Sequence, residues 1–315
     1  MLRLWKGVVV NLTSTIKVSA SLCFGLASSL VLAQRPSADC PKGGVESSIA
    51  VGAQYDTTHV YVAPANLDRF ATSFLGTFGG SSTKQIVTTV TPTASSTISQ
   101  VVQTSVGTIS LFGYSTPIPA PFGEERGGYL VTDMDTAICA AVAAGADVIV
   151  APFQDPIGRD AVIQWPGGVN MQLYWHKLSP SYPAFRHVPE NRVYVSQYRV
   201  KAFLKGFVPF AHGKVVADEK EAPGLEIGRP GEVYRRVLIE SGFGKTLVLV
   251  TDGHQPFPYG RETTGYEVDD LDTTLAKAKA LGVDLLVAPY TSGNRRSAVV
   301  QFPGGYVAEL HAAVP

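Results

Sequence analysis

The stretch PFGEERGGYLVTDMD, at positions 121–135, returns later in the chain as PYGRETTGYEVDDLD, at positions 258–272. The numbering of the two stretches differs by a constant (258 minus 121). The same difference continues without a gap through GADVIVAP at 145–152 and GVDLLVAP at 282–289, then through AVIQWPGG at 161–168 and AVVQFPGG at 298–305. A fixed spacing over so long a stretch indicates an internal duplication.

The beginning of each half also repeats, although the match is weaker. HVYVAPANLDRFATSF, at positions 59–74, pairs with RVYVSQYRVKAFLKGF, at positions 192–207. The numbering of this pair differs by 192 minus 59, which is four less than the 258 minus 121 of the first pair. The second half has therefore gained four residues before Pro258. Two segments in each half give four segments of similar pattern.

Each segment is predicted to form one strand, one helix and three further strands, in the order βαβββ. Asp133 and Asp270 precede helical stretches and have the side chain that an N-cap requires, and Gly145 and Gly282 follow those stretches as typical helix-ending residues. A PGG turn then precedes the last strand. In the first segment, TPTASSTISQ at 91–100 is polar and is expected to be a loop or an edge strand.

A chain of 315 residues suits about two domains. The pattern places a signal peptide at 1–33, a flexible N-terminal tail at 34–50, a first domain at 51–177, a proline-rich linker at 178–189 and a second domain at 190–315.

The N-terminal stretch up to Ala33 predicts export. Arg3, Lys6 and Lys17 precede the uncharged run VSASLCFGLASSLVLA, which ends at Ala33. Basic residues, a short apolar run and small residues before a cleavage point are typical of a secretory signal, so the mature protein is expected to be periplasmic or secreted and free of the membrane. The alternative is an uncleaved membrane anchor, for which the run is short.

Composition excludes some classes of partner. The 26 basic and 26 acidic side chains balance, and no basic stripe is present, so nucleic acid is not an expected partner. Of the three cysteines, Cys23 leaves with the signal, and Cys40 and Cys139 permit one disulfide. No spacing typical of a zinc site occurs. Oligomeric state is left open.

Residues 51–315 resemble the vicinal-oxygen-chelate superfamily, which includes glyoxalases, bleomycin-resistance proteins and extradiol dioxygenases. The resemblance rests on the V-x-D-[ML]-D start of the helix, the [VL]-A-P strand and the Gly-Gly turn before the last strand. That turn usually reads Asp-Pro-x-Gly in the family, whereas here it reads WPGG at 165–168 and FPGG at 302–305. The resemblance implies an α+β fold in which four βαβββ modules form two glyoxalase-like domains with cup-shaped mixed sheets.

The resemblance also implies a divalent metal in a cup, held by His or Gln on the opening strands and Glu on the last strands. The matching positions in the first half are His59, Ser110, Arg126 and Gln172, and in the second half Arg192, Leu247, Thr263 and Glu309. A guanidinium repels a cation and keeps its proton, so both metal sites look degenerate. No metal cofactor is therefore expected, with a divalent metal as the alternative.

Several of these residues are candidates for binding a small molecule. His59 is a candidate ligand or general base, and a hydrogen-bonded strand histidine is the alternative. Arg192 and Glu309 are expected to form an ion pair in place of a metal. Alternation along the strands adds three aromatic candidates, for each of which ordinary core packing is the favoured alternative: Tyr61, Tyr174 and Tyr194. The full set of expected ligand-binding residues is His59, Tyr61, Arg126, Gln172, Tyr174, Arg192, Tyr194 and Glu309.

A non-standard metal set is the weaker alternative. Glu309 and His311 are two residues apart and share a strand face, and Glu267 could join them. The leading hypothesis is a small-molecule binder that uses one cup. A metal-dependent lyase or dioxygenase is the alternative, and a protein with both cups filled by side chains is a third. The sequence does not decide which half is active.

Overall fold

The computed structural model describes Cys40 and residues 48–314, and the predicted signal peptide lies outside these residues. The described chain has the α+β fold that the sequence predicts. The first half contains β1 (Thr57–Val62), α1 (Leu67–Phe78), β2 (Ser81–Ser82), β3 (Ile86–Thr88), β4 (Thr97–Gln103), β5 (Thr108–Tyr114), β6 (Gly127–Leu130), α2 (Met134–Ala143), β7 (Asp147–Gln154), β8 (Gly158–Trp165) and β9 (Val169–His176).

The second half repeats this order with one regular βαβββ run in each module. Its elements are β10 (Glu190–Ser196), α3 (Val200–Phe210), β11 (Lys214–Pro223), β12 (Val233–Ser241), β13 (Gly244–Thr251), β14 (Thr263–Glu267), α4 (Leu271–Ala280), β15 (Asp284–Ser292), β16 (Arg295–Phe302) and β17 (Tyr306–Ala313). A short 3-10 helix, Gly224–Ile227, connects β11 to β12.

Each half forms one curled mixed sheet. The strand order is β2-β4-β5-β1-β6-β9-β8-β7 in the first, with β3 on β4, and β11-β12-β13-β10-β14-β17-β16-β15 in the second. The opening strands of the two modules lie antiparallel in the middle, and each pairs in parallel with the last strand of its own module. The last strands therefore flank the centre of each sheet, which places the residues of these four strands around one concave surface.

The helix-facing sides of the sheets share their cores between the halves. One core joins Phe70 and Phe74 of α1 to Tyr266, Phe302 and Leu310 of the second half, and all five are almost fully buried. The other core joins α2, β8 and β9 to α3, β12 and β13 around Trp165. These large apolar contacts hold the two halves together through their helices. They leave the opposite, concave faces for other uses.

The helix boundaries follow the expected caps. Asp133 accepts a hydrogen bond from the backbone N–H of Thr136 at 2.8 Å, and Asp270 accepts one from Thr273 at the same distance. Gly145 and Gly282 follow α2 and α4 with φ of 95° and 78°. A left-handed residue at this point suits glycine, which explains why both helices end there.

Two expectations need correction. Residues 97–100 are not a loop or an edge, because they belong to β4, which lies between β2 and β5. Its buried Gln100 amide donates to the backbone oxygen of Thr83 at 2.9 Å, so a polar side chain is accommodated inside the sheet. The expected tail also does not extend to residue 50, because Ile49 is only 2% exposed and Ala50 bridges to Val131.

Cys40 forms a disulfide with Cys139 on α2, with Cα atoms 5.4 Å apart. This separation lies in the usual range for such bonds. The bond ties a residue of the N-terminal segment to the core of the first half. Among the helices of the described residues, none is both long and apolar enough to span a bilayer.

Candidate functional site

The concave face of the first sheet, called the first cup, carries a cavity of about 140 Å³. Strand alternation decides what faces it. Val60 and Leu111 turn toward the helices and are buried in the core, whereas their neighbours His59, Tyr61 and Ser110 line the cavity. The residues that line it are Thr57, His59, Tyr61, Val90, Ser99, Val101, Ser110, Phe112, Tyr114, Phe122, Asp155, Ile157, Asp160, Gln172, Tyr174, His176 and Tyr182.

Glu125 lies beneath two of the predicted residues. It is fully buried, and its Oε1 accepts a hydrogen bond from the Tyr61 hydroxyl and lies 3.4 Å from Nδ1 of His59. The other carboxyl oxygen has no hydrogen-bond partner in the described part of the chain. Burial, together with the charge of Glu125, raises the pKa of Tyr61 well above its usual value, so its phenol stays neutral. Glu125 therefore fixes the orientation of His59 and Tyr61.

Arg126, expected to line the first cup, lies elsewhere. Its side chain lines a smaller cavity of about 40 Å³ that includes residues of both halves. The position facing His59 belongs instead to Gly128, where an added Cβ would come within 2.5 Å of His59 Nε2. Glycine is required at this close approach, so the position beside the His59 imidazole on β6 contributes no side chain to the cup.

The far wall of the first cup comes from β8 and β9. Asp160 lies opposite Tyr174 in the strand register and is 6% exposed. Burial raises the pKa of the Asp160 carboxyl well above its usual value, the Asp155 charge adds to this, and a hydrogen bond from Gln172 opposes it. Burial also lowers the pKa of His176, which favours its neutral form.

Aromatic rings cover much of the remaining surface. The ring centroid of Tyr61 lies 5.4 Å from that of Phe112 and 6.1 Å from that of Tyr114. Across the cavity, the Tyr174 hydroxyl donates to the backbone oxygen of Tyr55, whose ring packs against Tyr182. The cup thus combines apolar ring faces with a few fixed polar groups, which is the usual composition of a small-molecule site.

The corresponding face of the second sheet, called the second cup, is filled by side chains. Ile227 of the short 3-10 helix packs with Tyr234, Leu247 and Leu249, all of them buried, and Tyr194 lies against this cluster. Leu247 pairs with the opening strand of the second half in the register that Ser110 has in the first half. Larger apolar side chains and the inserted helix therefore occupy the space that stays open in the first cup.

A buried charge network fills the centre of the second cup. Nη2 of Arg295 lies 2.9 Å from Oε2 of Glu190, 2.9 Å from Oε2 of Glu309 and 2.8 Å from Nδ1 of His311. Arg192 adds a second guanidinium, with Nη1 3.7 Å from Oε2 of Glu309. Burial works to raise the pKa of Glu309, but attraction to Arg295, His311 and Arg192 outweighs it and holds that pKa well below its usual range. The carboxylate is therefore charged and paired.

This network contains the one group in the described residues that could hold a metal ion, namely Glu190, Glu309 and His311, whose ligand atoms lie within 4.8 Å of one another. Carboxylate and imidazole ligands suit a divalent transition metal. Glu267 is not in the group, because its carboxylate contacts His187 and Lys245 instead. With Arg295 Nη2 already against all three groups, a cation fits this site only if that guanidinium moves away.

Four important residues were missed by the sequence analysis: Glu125, Asp160, Glu190 and Arg295. Glu125 had a usable signal, because Glu262 stands at the matching position of the repeat in the second half. Glu190 stands two residues before Arg192 on the same strand, so it shares that face. Arg295 had no such signal, since its counterpart in the first half is Gly158.

The chain matches no protein-family model and no curated protein sequence. Solved structures do match. A mutant of 4-hydroxymandelate synthase from Streptomyces coelicolor is 14% identical with a TM-score of 0.55, and the match covers 85% of this chain and 92% of that one. A Mn(II)-bound glyoxalase from Novosphingobium aromaticivorans is also 14% identical with a TM-score of 0.51, covering 85% of this chain and 84% of that one.

These likenesses, together with the two curled sheets, confirm the vicinal-oxygen-chelate fold that the sequence predicts. At such low identity they define the fold and leave the reaction open. Because one of the two similar structures holds Mn(II) and the second cup contains a metal-capable group, the expectation of no metal is not supported. A divalent metal remains compatible with this fold.

Proposed function

We propose that this protein binds a small organic molecule in its first cup through side chains of the chain itself. The observation that supports this most is the contrast between the cups. The first keeps an open, aromatic-lined cavity of about 140 Å³, whereas apolar side chains and a neutralised charge network fill the second. Concave sites of mixed aromatic and polar lining are where small ligands usually bind.

The polar groups have defined roles in this proposal. His59 faces Glu125 with Nδ1, and its Nε2 lies over Gly128 at the floor of the cup, where it can form a hydrogen bond with the ligand. Gln172 offers an amide that both donates and accepts, and Ser99 and Ser110 offer hydroxyls. Tyr61 holds Glu125 in place with its own hydroxyl and presents its ring to the ligand.

The test is ligand-observed saturation-transfer NMR on the chain from Gln34 onward, with a fragment library of equal numbers of anionic, neutral and cationic members. Wild type is compared with Ser110→Leu, which introduces into the cavity the side chain that stands at Leu247 in the second cup. Ser115→Leu, on an exposed residue just after β5, is the matched control. We expect the same fragments to bind wild type and the control variant, and we expect Ser110→Leu to lose this binding. Hits that survive Ser110→Leu would place binding elsewhere.

A metal-dependent lyase or dioxygenase is the second candidate, supported by the group Glu190, Glu309 and His311. It requires Arg295 to leave the position it occupies between these groups. Elemental analysis of the purified, dialysed protein separates the two proposals. Stoichiometric manganese, iron, nickel or zinc would favour the metal-dependent enzyme. Metal well below stoichiometry, with retained ligand binding, favours the metal-free binder.

We also propose that the protein is exported, to the periplasm or the medium, after cleavage near Ala33. The Cys40–Cys139 disulfide supports this, because such bonds persist mainly in oxidising compartments. Mass spectrometry of the N-terminal peptide of protein recovered from its native host tests the proposal. A mature chain that begins at or near Gln34 is expected, and a chain that retains residues 1–33 inside the cell would contradict it.

A further inference from the structure

We infer that the ligand of the first cup is a small organic cation, an amine or a quaternary ammonium ion; this inference rests on the function proposed above for that cup. The described residues that line the cavity include the carboxyl groups of Asp155 and Asp160 and contain no lysine or arginine. Glu125 lies just beneath, against His59 and Tyr61. Among these lining residues, the basic side chains are the imidazoles of His59 and His176.

The aromatic rings are placed to complement a positive charge. Tyr61, Phe112 and Tyr114 form one wall, in which the centroid of Tyr61 lies 5.4 Å and 6.1 Å from the other two, and Tyr174 and Tyr182 line the other side. The faces of such rings carry negative electrostatic potential and attract ammonium groups. An anionic ligand would meet these faces and two carboxyl groups without any guanidinium or ammonium to pair with.

A comparison with the second cup shows that the first cup lacks arginine side chains among its described lining residues. There the buried carboxylates of Glu190 and Glu309 are neutralised by Arg192 and Arg295. The counterparts of these two arginines in the first half are His59 and Gly158. Gly158 has no room for a side chain, because an added Cβ would collide with the Trp175 backbone oxygen. The counterparts of Glu190 and Glu309 are Thr57 and Gln172, so the acidic side chains that line the first cup stand at other positions, Asp155 and Asp160. Neither lysine nor arginine is among the described residues that line that cavity, and a cation from solution can supply the positive charge.

The experiment is a calorimetric titration with three probes of nearly the same shape: choline, its neutral analogue 3,3-dimethylbutan-1-ol and the anion 3,3-dimethylbutanoate. We expect choline to bind wild type at least about tenfold more tightly than either of the others. Asp155→Asn preserves the shape of the side chain and the Oδ1 that accepts the backbone N–H groups of Ile157 and Gly158. It should weaken choline binding without changing the weak binding of the alcohol. Phe112→Leu introduces the residue of the second cup, Leu249, and should also weaken choline binding.

The outcomes separate this inference from the proposed function. Equal or tighter binding of the alcohol or the anion, or unchanged choline affinity in both variants, would overturn the cation inference. If the anion binds and Ser110→Leu abolishes that binding, the cup remains a binding site and only the ligand class is wrong. If choline does not bind, the cation inference fails, and the library screen alone then decides the proposed function.

Discussion

Nη2 of Arg295 lies 2.9 Å from Oε2 of Glu309, so the second cup carries its positive charge on the chain itself. The same nitrogen contacts Glu190 and His311, the other two members of the metal-capable group. A guanidinium donates several hydrogen bonds in a fixed plane and keeps its charge at any physiological pH. It can therefore satisfy this buried acidic site permanently, where an exchangeable ion would satisfy it only when bound.

Removing Arg295 should create a metal site. In Arg295→Ala, we expect Zn²⁺ or Mn²⁺ to bind to Glu190, Glu309 and His311 and to raise the thermal unfolding temperature. At a metal concentration about 100 times the Kd, the gain is about 2.7 kcal/mol. Thermal unfolding with and without metal measures this.

Arg296→Ala is the matched control for that experiment, because Arg296 pairs on the surface with Asp272 at 2.6 Å. Its unfolding temperature should not respond to metal. An Arg295→Ala variant that folds but shows no metal-dependent shift would contradict the assignment of these three residues as a metal-capable group.

Breaking the network by removing an acid should be costly. Glu309→Gln leaves the buried Arg192 and the half-buried Arg295 with Glu190 as their remaining carboxylate partner. Removing one partner of a buried ion pair typically lowers the free energy of unfolding by about 3–5 kcal/mol. Urea unfolding measures the loss. Glu221→Gln, on an exposed residue of β11, should change stability by less than about 0.5 kcal/mol. Equal stability of the two variants would mean that the network does not hold the cup together.

Asp160 gives a prediction about pH. Its pKa is raised in the folded protein, mainly by burial. Such a group contributes stability that is fully present below the pKa of the unfolded chain, about 3.9, and is lost as pH rises through the folded pKa. Wild type should therefore lose stability relative to Asp160→Asn as the pH rises from about 4 to about 8. Urea unfolding at both pH values measures the difference.

The control for Asp160 is Asp147→Asn, because Asp147 is exposed at the start of β7. The stability difference between this variant and wild type should hardly vary over the same pH range. If the Asp160→Asn difference is equally flat, then Asp160 is ionised in the folded protein and is paired more strongly than the structure indicates.

The disulfide should contribute measurably to stability. Cys40 and Cys139 are 99 residues apart in sequence, so the bond closes a long loop in the unfolded chain. Replacing both with alanine should lower the free energy of unfolding by about 2–4 kcal/mol while the protein still folds around its cores. Urea unfolding of wild type with and without a reductant provides the same comparison. No effect in either experiment would show that the bond does not constrain the folded unit.

The fold was predictable because the sequence contains an internal duplication, so each element of the pattern could be identified in both halves. Repeated caps at Asp133 and Asp270 and repeated glycines after the helices defined the second module of each half, and the weaker repeat of 59–74 at 192–207 defined the first. The resemblance to the vicinal-oxygen-chelate superfamily placed His59 and Glu309 among the cup positions, and strand alternation added the tyrosines beside them. Helix capping and strand alternation depend on neighbouring residues, so they can be predicted without knowledge of tertiary contacts.

The contents of the cups were less predictable, because they depend on contacts between distant strands. Arg295 reaches Glu190 across 105 residues of sequence. Ile227 fills the second cup from a short 3-10 helix, whereas the corresponding connection of the first half, between the described strands β3 and β4, contains no helix. Arg126 was misplaced, since β6 begins at Gly127 and brings Gly128 to face His59. Each of these features requires the three-dimensional path of the chain.

We propose that the first cup binds its ligand with the side chains of the chain, without a metal. The most direct test is calorimetric titration of the best fragment from the NMR screen, with and without EDTA, into wild type and Ser110→Leu. We expect the same affinity in wild type with and without EDTA, and loss of binding in Ser110→Leu. Loss of wild-type binding in EDTA, or unchanged binding in Ser110→Leu, would contradict it.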